Sequence, residues 1–368
     1  MDRPGSYAAT TSRRRPGRPA HERTGESVPE PISDVAAAAD PVAAVLEAHD
    51  RGGLIGLRTS GTTSRPRLVV RSAASWVDSF AHVSELAGMG ASARVWVPGP
   101  LSATMNLFAA VHARYAGVPL VGSPAEATHL HLTPATLLDL LGAGADLRGR
   151  TVVVAGDRLG AGMAARARAA GARVAHYYGA AELSFVAWGT DEDDLRPFPD
   201  VAVEIRNGLI WARSPFLSRG YARGEEGPFT MAPDGFATVG DRGRLADGLL
   251  TVTGRGTDAV VTGGVTVLVD DVEDTLRRAT GREVVVVGVP HPRFGALVAA
   301  VVPDPAAVAG ARRASRTGLT PGQRPRLWFV LPRLPVTGTG KVDRAAVAEL
   351  AASGRLAPAG TESVEEVP

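Results

Sequence analysis

Short apolar segments that alternate with helical patterns place the strongest limit on what this chain can fold into. Thr151–Ala155 is a valine-rich run of strand length, and a helical pattern at 161–170 and a second strand at 173–177 follow it. Strands that alternate with helices predict an α/β architecture with a buried sheet. The same reading predicts helices at 41–49, 75–89 and 101–116, and strands at 54–57, 68–70, 94–97 and 118–121.

The texture of the sequence changes after Val201, where closely spaced strand patterns indicate a β-rich region. After Gly254 a further pattern begins, with strands at 283–289, 296–301 and 326–331, a helix at 269–280, a Pro/Arg/Gly-rich linker at 303–325 and a last helix from about Asp343. The predicted organisation is a disordered leader at 1–40, a large domain at 41–254, a small C-terminal domain at 255–355 and a disordered tail at 356–368.

Composition argues against several function classes. The chain has no cysteine, which excludes disulfides and thiolate metal sites and suits a reducing compartment. Its formal net charge is +2, so there is no electrostatic case for nucleic-acid binding, and the basic run at 13–18 is expected to be a solvated tail. No apolar run reaches roughly 18 residues, and the N-terminus lacks an apolar signal segment, so no membrane span is expected. We expect a cytoplasmic protein, and a homodimer is left open.

One lysine stands out among the basic residues. The chain has 40 lysines and arginines together, and Lys341 is the one lysine among them. Lysine carries a compact charge on a flexible stem, whereas arginine is a wide planar fork, so this position can be one where arginine does not serve. The plain alternative is a lysine that survived by chance. Lys341 lies in the glycine-rich segment PVTGTGKVDR at 335–344, which suits the delivery of a charge to a reacting centre.

A hydroxyl-rich turn precedes the strand pattern at 68–70. The segment TSGTTSRPR at 59–67 packs hydroxyl side chains and a glycine ahead of a cation, Arg67. Amides and hydroxyls in such a loop can surround polyphosphate oxygens, and the arginine can neutralise them. The spacing is not that of a Walker A loop, and taken alone a polar surface turn explains it equally well.

Further polar segments follow in order: YGAAE at 178–182, GDRGRL at 240–245 and the Gly254–Arg255 pair. Glu182 can hold a magnesium ion, or it can simply start a helix. Asp241 can accept hydrogen bonds from ribose hydroxyls, or it can satisfy its own turn. Arg255 can bind a sugar–phosphate group, or it can be a surface cation.

Together with the lysine segment, these motifs resemble the adenylate-forming superfamily, which includes acyl-CoA synthetases, aryl-CoA ligases and nonribosomal adenylation domains. The resemblance covers roughly residues 54–347. It implies a large, here reduced, N-terminal adenylate-forming domain with a β-rich portion and a small mobile α+β C-terminal domain. It also implies ATP, Mg²⁺ and coenzyme A as cofactors, and a small carboxylate and a CoA or carrier-protein thiol as partners.

The resemblance assigns roles to individual residues. Lys341 would bridge the substrate carboxylate and the α-phosphate, and Glu182 would lie near the magnesium. The ATP and AMP contacts would come from the following residues: Thr59, Ser60, Gly61, Thr62, Thr63, Arg67, Tyr178, Gly179, Asp241 and Arg255. The thiol side would involve Gly263 and Gly264. The acyl pocket would include Ser102, Met105, Phe108 and Ala181.

Some positions depart from the family pattern. Arg67 and Ser64 stand where lysine and glycine are usual, and Thr257 occupies the place of the usual hinge aspartate or lysine. The segment ahead of the phosphate loop is short, as in reduced o-succinylbenzoate-CoA ligases. The YGAAELSF segment at 178–185 is more similar to fatty-acyl-CoA synthetases, so the expected activity is activation of a fatty or other monocarboxylic acid. The alternatives are an o-succinylbenzoate-CoA ligase and a degenerate relative that binds nucleotide or acyl groups without turnover.

Two weaker patterns have a functional and a structural interpretation each. GAGMAA at 160–165 follows a strand and precedes a helix, as in dinucleotide-binding proteins, but without a third glycine a packing role at the helix start is the better interpretation. His129 and His131 alternate as on a strand and could suggest a metal. No carboxylate or cysteine lies at suitable spacing, so ordinary strand residues are the better prediction.

Overall fold

The computed structural model describes residues 32–59, 67–254, 259–356 and 358–359, and in these ranges the strands fall into sheets that follow one another along the chain. The first sheet contains β1 (Ser33–Asp34), β2 (Leu54–Thr59) and β3 (Arg67–Ser72). The second contains β4 (Val95–Trp96), β5 (His129–Leu132), β6 (Thr151–Val154), β7 (Arg173–Ala180), β8 (Ser184–Gly189) and β9 (Arg196–Pro197).

The remaining strands form two sheets that are mostly antiparallel. The third sheet contains β10 (Ala202–Arg206), β11 (Leu209–Arg213), β12 (Thr230–Met231), β13 (Ala237–Thr238), β14 (Arg242–Ala246) and β15 (Leu249–Gly254). The fourth contains β16 (Ala259–Thr262), β17 (Val265–Leu268), β18 (Val285–His291), β19 (Gly295–Val302) and β20 (Leu327–Val330).

The helices of the described ranges are α1 (Pro41–Asp50), α2 (Ala74–Val77), α3 (Phe80–Ala87), α4 (Thr104–Tyr115), α5 (Pro134–Gly142), α6 (Ala161–Ala169), α7 (Val269–Thr280), α8 (Val308–Gly318) and α9 (Arg344–Ala352). Their starts follow from local chemistry. Asp40, Thr133 and Asp343 accept hydrogen bonds from free amides at the starts of α1, α5 and α9. None of these described helices is long and apolar enough to cross a bilayer.

The second sheet positions the candidate site. Its strand order is β4-β5-β6-β7-β8-β9, and β4 to β7 are parallel. All residues of β5 and β6 are buried, as expected for parallel strands covered on both faces. In such sheets ligands bind beyond the carboxyl ends of the strands. The loops after β5, β6 and β7 are therefore where a site is expected.

The fourth sheet has a hydrophobic core on each face. Val286, Val298 and Ala300 pack with α7 and α8 on one face, whereas Val287 and Val301 pack with α9 on the other. The described residues from 32 onward pack as one compact unit. The division at residue 254 therefore stays a prediction, and below we call 32–254 the N-terminal portion and 259–359 the C-terminal portion.

Several predicted elements differ from the structure. The 303–325 linker contains α8, because Ala311 and Ser315 are buried one turn apart while Arg313 between them is exposed. The predicted strand at 118–121 is reduced to one bridge, between Leu120 and Val95. The predicted helix at 75–89 is divided into α2 and α3. The predicted leader is wrong at its end, where β1 pairs with β2 and Val35 is fully buried.

Candidate active site

Lys341 lies beside the loop that follows β6. Gly156, in that loop, has a φ of +87°, and a Cβ atom placed on it would be 3.7 Å from Lys341 Cε and 3.0 Å from Met105 Sδ. Gly340, with a φ of +82°, lies against Thr133, and a Cβ atom on it would be 3.2 Å from Thr133 Cγ2. The lysine of the C-terminal portion therefore reaches the carboxyl ends of β5 and β6.

The Lys341 segment is held by its own backbone. Thr337 N donates to Lys341 O at 2.8 Å, and Asp343 N donates to Pro335 O at 2.8 Å. The Asp343 carboxylate then accepts from Ala346 N at 3.0 Å, at the start of α9. These bonds close a tight hairpin whose tip is formed by residues 338–340, and Lys341 begins its returning arm.

A buried charge cluster anchors the same segment. Arg344 donates hydrogen bonds from both of its terminal nitrogens to the carboxylate of Glu273, and the Nη2–Oε2 distance is 2.8 Å. Glu273 is fully buried. Arg277 joins Glu273 at 2.9 Å and Glu283 at 2.7 Å. Burial acts to raise the pKa of Glu273, but the charges of Arg277 and Arg344 outweigh it and hold that pKa below its usual value.

Tyr178 and Asp241 meet at the end of β7. The Tyr178 hydroxyl donates to Asp241 Oδ2 at 2.8 Å, although the residues are 63 positions apart. Asp241 is buried, and it directly follows Gly240, which has a φ of +82°. The aromatic ring and the carboxylate from two separate motifs therefore lie side by side, as a pocket for a nucleoside requires.

Glu182 is held by two residues that the sequence did not single out. Tyr221 donates its hydroxyl to Glu182 Oε1 at 2.7 Å, and the buried carboxylate lies near the fully buried Arg71. Burial raises the pKa of the Tyr221 hydroxyl, and its bond to Glu182 raises it further. Burial lowers the pKa of Arg71, whereas the charge of Glu182 raises it. Glu182 therefore compensates for a buried guanidinium.

The neighbourhood of Glu182 connects to the base of the phosphate-loop segment. Val69 forms a bridge with Tyr221, and Val70 N donates to Gly220 O at 2.8 Å. Thr59 faces Arg67 across β2 and β3, and these two residues flank the segment 60–66. The first residues of β3 therefore lie next to Tyr221, the residue whose hydroxyl holds Glu182.

Comparison with known proteins identifies this arrangement. Residues 54–222 match a family model described as AMP-binding enzyme. Residues 54–222 therefore carry the AMP-binding domain that this family model describes. The chain is 28% identical over 348 residues to the uncharacterized acyl-CoA ligase YhfT of Bacillus subtilis, covering 84% of this chain and 71% of that protein.

Other similar proteins are ligases by name. The putative long chain fatty acid-CoA ligase VraA of Staphylococcus haemolyticus is 25% identical over 327 residues, with 80% of this chain and 70% of that protein covered. The 2-succinylbenzoate-CoA ligase of Escherichia coli is 26% identical over 236 residues, with 63% and 52% covered. ATP-bound MatB from Rhodopseudomonas palustris superposes with a TM-score of 0.67 at 24% identity, covering 80% of this chain and 67% of that one, which shows the shared fold.

The donor set of the AMP-binding domain fits a magnesium ion. The described residues contain no group of three or more side chains of the His, Cys, Asp and Glu type that could enclose a metal. Magnesium does not require such a cage, because it keeps several waters and is completed by substrate phosphates. A single buried carboxylate, Glu182, whose Oε1 is fixed by Tyr221, suits that mode of binding.

Several predicted site residues lie outside the described ranges: Ser60, Gly61, Thr62, Thr63, Ser64, Arg255 and Thr257. Gly179 is described, and it has no room for a side chain, because a Cβ atom on it would lie 2.2 Å from Ser184 O. Gly263 and Gly264 form the exposed tip between β16 and β17, with φ values of +56° and +83°. Their assignment to the thiol side stays a prediction.

The predicted acyl-pocket residues do not share one environment. Met105 faces Gly156, whereas Ser102 is exposed. Phe108 is buried in an aromatic cluster, 4.9 Å from the ring of Phe185. Ala181 is half-buried against the same core. In this structure Met105 is thus the member of the set that lies nearest to Lys341, and the pocket as a whole remains a prediction.

The two weaker patterns have structural explanations. His129 and His131 are buried strand residues of β5, as expected, and Thr128 Oγ1 lies 2.8 Å from His129 Nδ1. Gly160 caps α6, and a Cβ atom on Gly162 would lie 2.4 Å from Gly281 Cα, at the end of α7. The glycines at 160–165 thus serve close helix packing, which agrees with the interpretation preferred from the sequence.

Proposed function

We propose that this chain is an ATP-dependent acid–thiol ligase that activates a carboxylate as acyl-AMP and then transfers the acyl group to a thiol. The observation that carries this proposal is the position of Lys341 beside Gly156, at the strand ends where the Tyr178–Asp241 pair and Glu182 also lie. The AMP-binding domain and the ligase names of similar proteins support it.

In the first step a carboxylate oxygen attacks the α-phosphorus of ATP, and the bond to pyrophosphate breaks. Negative charge then concentrates between the two reactants, and the Lys341 ammonium stabilises it as it develops. Mg²⁺, when bound near Glu182, would neutralise the pyrophosphate that leaves. The Tyr178 ring and the Asp241 carboxylate would hold the adenosine, so that the α-phosphate faces Lys341.

In the second step a thiolate attacks the acyl carbon of the mixed anhydride, and AMP leaves. Lys341 has no part in this step, since the anhydride is already activated. The acceptor is coenzyme A or a carrier-protein thiol, and the tip at Gly263–Gly264 is the proposed thiol-side element.

For the acid we propose a fatty or other monocarboxylic substrate. The apolar Met105 of the tentative pocket lies against Gly156 beside Lys341, and the segments 102–108 and 177–181 contain no arginine or histidine to bind a second carboxylate. The o-succinylbenzoate alternative rests on the 2-succinylbenzoate-CoA ligase among the similar proteins.

The test is carboxylate-dependent ATP–pyrophosphate exchange with fatty, aryl and dicarboxylic acids. Exchange should appear with a monocarboxylic acid and fall by roughly 100–1,000-fold in Lys341→Ala, because one preorganised donor of this kind contributes about 3–4 kcal/mol. Lys341→Arg is the matched control, since it keeps the charge but replaces the compact ammonium by a fork.

The outcomes separate the candidates. Exchange specific to o-succinylbenzoate would favour the alternative substrate. Exchange that Lys341→Ala leaves unchanged would remove the lysine from the mechanism. Nucleotide binding without exchange for any acid would favour a relative that binds without turnover.

A further inference from the structure

The two portions of the chain touch along a surface that lies next to Lys341. This surface, called here the α6–α7 contact, consists of α6 and the preceding loop 156–160 on one side and α7 on the other. Lys341 belongs to the C-terminal portion, and Gly156 belongs to the loop. The contact therefore determines whether Lys341 stands at the strand ends.

Charge pairs hold the α6–α7 contact at two places. Arg158, in the loop, makes an ion pair with Asp274 of α7, and their side chains are only 13% and 25% exposed. Glu192 lies 3.7 Å from Arg158 on the other side. Further out, Arg278 pairs with Asp193 at 2.9 Å, but these side chains are about half exposed. Because exposed pairs contribute little, the shielded Arg158–Asp274 pair is the stronger tie.

The loop that carries Arg158 is itself fixed. His176 Nδ1 lies 2.9 Å from Val154 O and donates to it, which leaves Nε2 to accept from Leu159 N at 3.5 Å. Glu192 N donates to Leu159 O at 2.9 Å. Burial lowers the pKa of His176, so the ring stays neutral and keeps both bonds. Asp274 therefore meets a guanidinium held in place by the sheet.

The α6–α7 contact also has a steric requirement. A Cβ atom on Gly162 would lie 2.4 Å from the Cα and 2.5 Å from the O of Gly281. Both neighbours are backbone atoms that cannot turn aside as a side chain can. Helices approach this closely only where one of them has no side chain at the crossing. Any residue larger than glycine at 162 would thus push the end of α7 away.

We propose that the Arg158–Asp274 ion pair and Gly162 are positioning elements that seat Lys341 against Gly156 for the first half-reaction. This rests on the proposed ligase function. The elements act by stabilising one placement of the C-terminal portion. Weakening them should slow acyl-adenylate formation and leave thioester formation from supplied acyl-adenylate unchanged, because the second step does not use Lys341.

The kinetic test compares two changes with matched controls. Asp274→Asn and Gly162→Ala should each lower the pyrophosphate-exchange rate at least tenfold. Glu126→Gln removes a pair with Arg94 that lies wholly within the N-terminal portion, and Gly142→Ala fills a helical position with nothing within 4 Å; both controls should stay within twofold. Asp274→Glu should retain part of the rate that Asp274→Asn loses, which a merely destabilised fold would not explain.

Coupling between the two charges is measured by a double-mutant cycle. If Arg158 and Asp274 act through one contact, then Arg158→Gln combined with Asp274→Asn should cost no more than about the larger single loss. Equal losses in both half-reactions, or losses that multiply in the double variant, would overturn the proposal. So would an exchange rate that neither Asp274→Asn nor Gly162→Ala alters.

A second readout needs no catalysis. The chain has no cysteine, so Asp193→Cys with Arg278→Cys supplies the only two thiols, one on each side of the contact. A short bismaleimide should join them efficiently, and the yield should fall severalfold when Asp274→Asn or Gly162→Ala is added. If no acid supports exchange, the ligase proposal fails while this yield still decides the positioning proposal. An unchanged yield in both variants would overturn it even in an active ligase.

Discussion

Acidification should destabilise this protein through histidines buried around β5. His131 and His112 are almost fully buried, and burial lowers the pKa of His131 to about 3 and of His112 to about 4. Their mutual repulsion acts in the same direction for His131. In the unfolded chain each of these imidazoles binds a proton near pH 6.5, whereas in the folded chain it binds the proton only at a lower pH. The stability is therefore complete above pH 6.5 and is lost as the pH falls toward the folded pKa values.

The size of the loss follows from the shifts. At pH 5 the solution is roughly 1.5 pH units below the pKa of the unfolded imidazole, so the unfolded imidazole is protonated. Folded His131 is still neutral at that pH. Each unit corresponds to about 1.4 kcal/mol, so His131 should contribute a loss of about 2 kcal/mol between pH 7 and pH 5. His112 should contribute a similar loss over the same interval, because its folded pKa of about 4 also lies below pH 5.

Urea unfolding followed by tryptophan fluorescence at pH 7 and pH 5 measures this difference. His131→Leu removes one titrating group, so the fall in unfolding free energy from pH 7 to pH 5 should be about 2 kcal/mol smaller than in the parent chain, whatever the variant does to stability at pH 7. An identical fall in both proteins would refute the reasoning. An NMR titration that places the folded His131 midpoint above pH 5 would refute it directly.

Three other changes test other parts of the structure. Tyr221→Phe removes the hydrogen bond to Glu182. Because hydrogen bonds to charged groups contribute about 1.5–3 kcal/mol, this change should lower pyrophosphate exchange by roughly 10–100-fold and raise the Mg²⁺ concentration that the reaction requires. An unchanged Mg²⁺ titration would contradict this. Glu273→Gln leaves the partly buried Arg344 without its counter-charge and should lower the free energy of unfolding by about 3–5 kcal/mol. An unchanged urea-unfolding midpoint would argue against a buried ion pair. Asp343→Ala removes the cap of α9 and should cost about 1 kcal/mol by thermal unfolding, and no measurable change would show that the cap is dispensable.

Much of the fold could be predicted from the sequence where one local pattern decides the structure. The valine run of β6 and the two-faced pattern of α7 gave boundaries that agree closely with the structure. The helix α8 was missed because its composition is rich in arginine and small residues, and its two buried residues, Ala311 and Ser315, are both small. A pattern of two small residues is too weak to distinguish a helix from a linker.

The candidate site divides in the same way. Lys341 and Glu182 stand in motifs, and the structure places both at the strand ends. Tyr221 and Arg71 belong to no motif, and their roles come from contacts over 39 and about 110 positions of sequence. Such partners are set by the packing of separate elements. A single sequence therefore holds no local signal for them.

The anchoring of Arg344 in Glu273 bears on how fast Lys341 can move. Only two residues separate the reactive amine from a bidentate bond to a fully buried carboxylate. A loose loop could swing in nanoseconds to microseconds, but a tethered amine must travel with α7 and its sheet as a rigid body, on a scale of microseconds to milliseconds. Friction with the solvent would then limit such a displacement, so added sucrose or glycerol should slow a turnover that depends on it.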